Sequence, residues 1–189
     1  MTTTYTPTPV SPEEYLVRER AAKYKSEYVA GEVRAMAGAS RAHVLISANL
    51  VRELGSQLRG RPCETYGTDI RVRVSRTRDY VYPDVTVVCG EPQMEDEHFD
   101  TLLNPTLIVE VLSPSTAGYD RGQKWEMYRR IPSLQDYLLV SQGEPRVERY
   151  TRQAEGLWLF GETSGQDEVL HLDSIGCTLA LRDVYERVL

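Results

Sequence analysis

The sequence predicts an α/β fold, with helices packed on a mixed β-sheet, and three observations carry that reading. Leu107 to Leu112 is a near-continuous apolar run, the mark of a central strand covered on both faces. A helical stretch and a second apolar strand, Asp136 to Val140, follow it at a spacing that favours a crossover between parallel strands. The C-terminal stretch has the alternation of an antiparallel meander.

In chain order, residues 1–10 read as a flexible tail, leaving 11–189 as one domain, which suits a chain of 189 residues. Ser11-Pro12-Glu13-Glu14 has the layout of a helix start, with a capping serine and proline at the first helical position, and predicts a helix to about Ala22. Lys25 to Val29 and Glu32 to Met36 flank Ala30-Gly31 and read as a hairpin. Ser40 then caps a helix whose Val44, Ala48, Val51, Leu54 and Leu58 form an apolar stripe ending before Gly60.

Ile70, Val72 and Val74 alternate with Arg71 and Arg73, which predicts a strand with the arginines on its solvated side. Tyr80 to Val88 is a β-rich run, followed by an acidic surface loop from Glu91 to Asp100. A helix from about Tyr119 to Arg130 links the two apolar strands. Strands at Arg146 to Thr151, Leu157 to Gly161 and Val169 to Leu172, and a closing helix near Arg182 to Val188, complete the reading.

Composition narrows the function. With 41% hydrophobic and 26% charged residues the chain is ordinary globular protein, and no apolar stretch approaches the length of a membrane span. The N-terminus lacks a secretory pattern, so a cytoplasmic location is expected. Cys63, Cys89 and Cys177 form no C-x-x-C pair and read as small core residues, pointing to neither a disulfide framework nor a thiolate zinc site. A net charge of −6 is the wrong sign for holding DNA by bulk electrostatics, so any such contact is local, metal-assisted or weak.

One residue resists a purely structural account. Glu110 lies in the middle of the most hydrophobic strand, where an unpaired carboxylate costs several kcal/mol to bury. A second acid, Asp84, follows Pro83, a residue that cannot donate a ladder hydrogen bond and so marks an edge, bulge or strand entry. On neighbouring strands the two carboxylates would lie about 5 Å apart and repel by roughly 3 kcal/mol at an effective dielectric near 20. A divalent cation reverses that sign, and hard oxygen ligands suit Mg²⁺ or Mn²⁺. Lys124, on the following helix, is spaced to swing its ammonium back toward the acids.

Tyr82-Pro83-Asp84-Val85, Asn104 to Ser115, Lys124-x-x-x-Tyr128 and Gln135 to Val140 together resemble the Uma2 family of restriction endonucleases, within the PD-(D/E)xK nuclease superfamily. Glu27-Tyr-Val-Ala-Gly-Glu32 and Ser40-x-x-His43 extend the resemblance. It implies a restriction-endonuclease-like mixed sheet core flanked by helices, with an N-terminal hairpin and C-terminal antiparallel strands. It also implies that Asp84 and Glu110 bind the metal with the backbone carbonyl of Val111, that Glu27 lines the same cleft, and that DNA is the substrate. The chain departs from the motif at Leu112, where the family pattern expects lysine, and the resemblance implies that Lys124 substitutes for it.

Plainer roles stand beside these. Asp84 and Glu110 fit a buried pair satisfied by arginine or backbone donors, Lys124 a solvated partner of Asp120, and Glu27 an ion-paired hairpin residue, more so than Glu32. His43 is either a phosphate contact or a packed helix-start residue. Tyr128 reads as packing with Trp125 and Met127, and Arg71, Arg73, Arg76 and Arg78 as solvation or a grip on a DNA backbone. The expectation is a Mg²⁺-dependent endonuclease, with a homodimer suited to cutting both strands. The alternatives are a catalytically inactive nuclease-fold DNA-binding or interaction protein, and a scaffold in which Glu110 forms a structural salt bridge.

Overall fold

A computed structural model describes residues 10–74 and 78–188; the expected N-terminal tail, but for Val10, and Arg76 of the basic cluster lie outside the described residues. Ser11 caps α1 (Pro12–Ala21), its hydroxyl accepting the Glu14 N–H at 3.2 Å. β1 (Ser26–Val29) and β2 (Glu32–Ala35) form the hairpin, and Ala30 and Gly31 both take positive φ, the conformation a tight two-residue turn between twisted strands demands. Ser40 caps α2 (Arg41–Leu58) by accepting the His43 N–H at 3.1 Å.

The chain continues through β3 (Cys63–Tyr66), β4 (Arg71–Val74), β5 (Asp79–Val81), β6 (Val85–Cys89), β7 (Thr101–Leu102) and β8 (Leu107–Val111). Ala117–Tyr119, Asp120–Lys124 and Trp125–Tyr128 run on as one helix, α3, whose middle segment is wound as a π turn. β9 (Asp136–Val140), β10 (Arg146–Arg152), β11 (Trp158–Ser164), β12 (Val169–Leu172), β13 (Cys177–Ala180) and a short helix, Leu181–Val184, follow.

These strands build two sheets and a separate hairpin: β2-β1-β5-β4-β7, β11-β10-β9-β8-β6-β3, and β12-β13. β8 is central in the larger sheet, parallel to β9 and antiparallel to β6, so the predicted parallel neighbour is present. Its alternation divides the core. Val109 and Val111 pack with Ile46, Leu50 and Leu54 of α2, whereas Ile108 and Leu112 meet Tyr128, Ile131 and the smaller sheet's Val72 and Val81. Full burial of side chains such as Ile46 and Leu50 stabilises by about 1.5–3 kcal/mol each.

Several expectations are corrected. The buried stripe of α2 is Ile46, Leu50, Leu54 and Leu58, and Val44 is exposed. Both phases share Leu54 and Leu58, and the one that buries the larger side chains prevails. The run Tyr80 to Val88 is not one strand, because at Pro83 the chain leaves the smaller sheet and enters the larger one. Arg71 is not on a solvated side; it is 3% exposed and bonds Asp100, Thr101 and Tyr82. Arg73 and Arg78 pair with Glu95 and Glu13, leaving no free grip among the described members of that cluster. Cys63 and Cys89 are opposed in β3 and β6 and joined in a disulfide, a pairing hidden by their distance along the chain; Cys177 is free and buried. The C-terminal strands are not one meander, since β10 and β11 extend the large sheet while β12 pairs with β13, and the final helix is a single turn.

The acidic loop is tied to α1. Arg20 bonds Asp96 and Asp100 at 2.8 Å each, and as the leading cause it holds both carboxyls below the ordinary aspartate range. A depressed folded pKa contributes stability that is present above the ordinary value of 3.8 and lost as pH falls through the folded value. Arg20→Met is therefore expected to flatten the acid limb of urea stability measured below about pH 4. An unchanged limb would show that the pairs do not couple to folding.

Candidate functional site

The site forms where β6 and β8 run side by side. Pro83 donates no ladder bond, so the chain turns between sheets there and presents Asp84 at the entry to β6. Val85 is registered opposite Val109, which sets Asp84 beside Glu110. The Asp84 carboxylate is held at both oxygens: Oδ2 accepts the Val111 N–H at 2.7 Å, and Oδ1 lies 2.8 Å from His43 Nε2.

Glu110 is 3% exposed, on the face of β8 that looks toward α3. Its Oε1 accepts from Lys124 Nζ at 2.9 Å and from the Tyr128 hydroxyl at 2.7 Å. The same ammonium is 3.2 Å from Glu27 Oε1 and 3.7 Å from Asp120 Oδ1, and 5.6 Å from the centre of the Tyr119 ring. Glu27 in turn accepts the Tyr82 N–H and the Tyr119 hydroxyl, each at 3.3 Å. Tyr119, Asp120, Lys124 and Tyr128, spaced along α3 through its π turn, all reach one acidic cluster.

Three carboxylates, Glu27, Glu110 and Asp120, thus surround one ammonium, and Asp84 lies beside Glu110 on the neighbouring strand. Burial pushes the Glu110 carboxyl well above the usual range against the pull of Lys124, with Asp84, Asp120 and Glu27 raising it further. Burial also raises Asp120. For Lys124 burial works toward neutrality, yet Glu110, Glu27 and Asp120 overcome it and hold the group well above its ordinary value. Lys124 is therefore an ammonium at neutral pH, a charge donor and not a base.

Among the described residues no three His, Cys, Asp or Glu side chains cluster so as to cage an ion by themselves. Asp84 and Glu110 do match the two-carboxylate pattern of Mg²⁺, which keeps most of its waters. Acidic side chains outnumber the one ammonium there, which suits such a cation.

Of the residues expected from sequence, Asp84, Glu110, Glu27 and Lys124 come together. Lys124 is buried, not solvated, and Asp120 joins it in the cluster. Val111 contributes its N–H to Asp84. The His43 ring faces Asp84, and Glu32 is exposed and paired with Arg34. Tyr128 packs in the core with Met127 and Trp125 as expected and in addition donates to Glu110, and Tyr119 and Asp120 were missed. The four-residue steps from Asp120 to Lys124 to Tyr128 were the available signal.

A family model described as "Putative restriction endonuclease" (Uma2) matches residues 12–182. Two curated relatives from Synechocystis are the uncharacterized proteins sll1609 and slr1290. The first is 42% identical over 82% of this chain and 87% of its own length, the second 40% over 93% and 91%. A solved structure from Anabaena variabilis, titled "a putative nuclease belonging to DUF820", superposes with a TM-score of 0.77 at 19% identity, covering 96% of this chain and 100% of the other. At that identity it shows the shared fold.

Proposed function

The chain belongs to the Uma2 family, described as putative restriction endonucleases, and from that premise we propose that it is a metal-dependent nuclease hydrolysing DNA phosphodiester bonds. The observation that supports this best is the buried Lys124 ammonium, 2.9 Å from Glu110, supplying from α3 the charge that Leu112 cannot supply from the strand. Asp84 and Glu110, with the Val111 carbonyl, would hold Mg²⁺ or Mn²⁺. When bound, such an ion lowers the pKa of a coordinated water and neutralises phosphate charge. Lys124 stabilises the negative charge that grows on phosphate oxygens, and Glu27 and Asp120 keep its ammonium protonated and in place. In this reading a two-fold dimer sets one site against each strand of a duplex.

The experiment is nicking of supercoiled plasmid with Mg²⁺ or Mn²⁺, beside calorimetric titration of each ion. The intact chain is expected to bind and cut, and Asp84→Ala to do neither. A chain that binds neither ion, and whose Asp84→Ala variant treats DNA identically, overturns the reading. A second reading, a nuclease fold without the chemistry, draws on one observation: Glu110 already has two donors in Lys124 and Tyr128, as a structural ion pair would.

A further inference from the structure

We infer that His43 is a positioning residue for Asp84. An ionised carboxylate only accepts hydrogen bonds, so the Nε2 nitrogen 2.8 Å from Asp84 Oδ1 is the proton-bearing one, and it fixes the oxygen that the Val111 N–H does not hold. With both oxygens held, the carboxylate plane is set before any ligand arrives, while lone pairs remain on each oxygen.

The histidine is itself held in a closed ring of bonds. Its backbone N–H donates to Ser40 Oγ at 3.1 Å, and the Ser40 hydroxyl donates to Gln142 Oε1 at 2.5 Å. Gln142 Nε2 donates to the Leu112 carbonyl at 2.8 Å, and Leu112 follows Val111, whose N–H returns to Asp84. The ring ties the start of α2, the segment after β9 and the end of β8 to one carboxylate. That carboxylate sits at a sheet-to-sheet crossing where Pro83 gives no ladder bond to steady it, so side-chain bonds take over the task.

The inference rests on the nuclease reading only in making Asp84 an ion ligand, so the test has one arm with the ion and one without. Mn²⁺ affinity and amide exchange of Val111 are measured for the wild type, His43→Phe and His43→Gln, whose amide donates from nearly the place of Nε2. His43→Ala replaces the phenylalanine variant if that one does not fold. His43→Phe is expected to weaken Mn²⁺ binding roughly 10–100-fold, the usual cost of losing an outer-shell partner. It should also speed Val111 exchange by roughly tenfold, as loss of one supporting hydrogen bond would. His43→Gln is expected to restore most of both, which a purely space-filling role would not do.

Wild-type Mn²⁺ binding and Val111 protection retained in His43→Phe, or lost equally in the Phe and Gln variants, would overturn the inference. A wild type that binds no Mn²⁺ while Val111 exchange still follows the donor at position 43 removes the nuclease reading and leaves the positioning role standing.

Discussion

Replacing Lys124 by methionine is expected to destabilise the protein by about 3–5 kcal/mol, because the change leaves Glu110 buried with neighbouring carboxylates and no cation. In the nuclease reading it also lowers DNA cleavage by roughly 10²-fold or more, the scale of losing one preorganised charge donor. Urea unfolding at pH 7 and plasmid nicking measure the two effects. The double variant Lys124→Met with Glu110→Gln separates them, since removing the orphaned charge should recover most of the stability and none of the cleavage.

The pH dependence of that penalty has a definite sign. Lys124 has a folded pKa above its ordinary 10.5, so its contribution is complete below that value and declines only as pH rises through the raised one. Titration of Lys124 itself therefore adds no pH dependence to the cost of Lys124→Met between about pH 7 and 9, and any rise of the cost with pH comes from Glu110, whose carboxyl loses the cation that draws its pKa down. A methionine variant as stable as the wild type, and as active, would mean that the cluster does not depend on its only ammonium.

Glu110→Gln is expected to do the reverse, removing function while sparing the fold. The glutamine can still accept from Lys124 and Tyr128, and the ammonium keeps Glu27 and Asp120. In the nuclease reading Mn²⁺ affinity should nonetheless drop by roughly 10²-fold, at or beyond the upper end of what loss of an outer partner costs, because that reading makes Glu110 itself a ligand. Burial raises the Glu110 carboxyl above its ordinary 4.5, so its favourable contribution is present below that value and lost as pH rises through the folded one. Relative to the wild type, the glutamine variant should then gain stability as pH increases from 4.5 to 8. A variant that instead loses stability at pH 8 and keeps its ion binding would favour the structural salt bridge over the metal site.

Much of the fold was legible because local pattern and burial agree there. The apolar run Leu107 to Leu112 is covered on both faces as expected, and Pro83 marks the place where a strand is interrupted. On α2 the two apolar phases differ by small side chains, and packing against Val109 and Val111 chose between them. Arg71 carried an alternation that reads as solvated, but Asp100, Thr101 and Tyr82 enclose it, and no one-dimensional period encodes such partners.

By itself the sequence determined the first two helices and their caps, the N-terminal hairpin, the central apolar strands and the conflict of a carboxylate inside one of them, since each follows from neighbours a few residues away. Only the tertiary structure decided how that conflict is resolved. The division into two sheets sets Asp84 beside Glu110, the packing of α3 over β8 brings Lys124 and Tyr128 to one oxygen, and the closure of α2 onto the sheet brings His43 to the other acid. Electrostatic energy depends on distance through space and on burial, and both are properties of the packed chain rather than of its order.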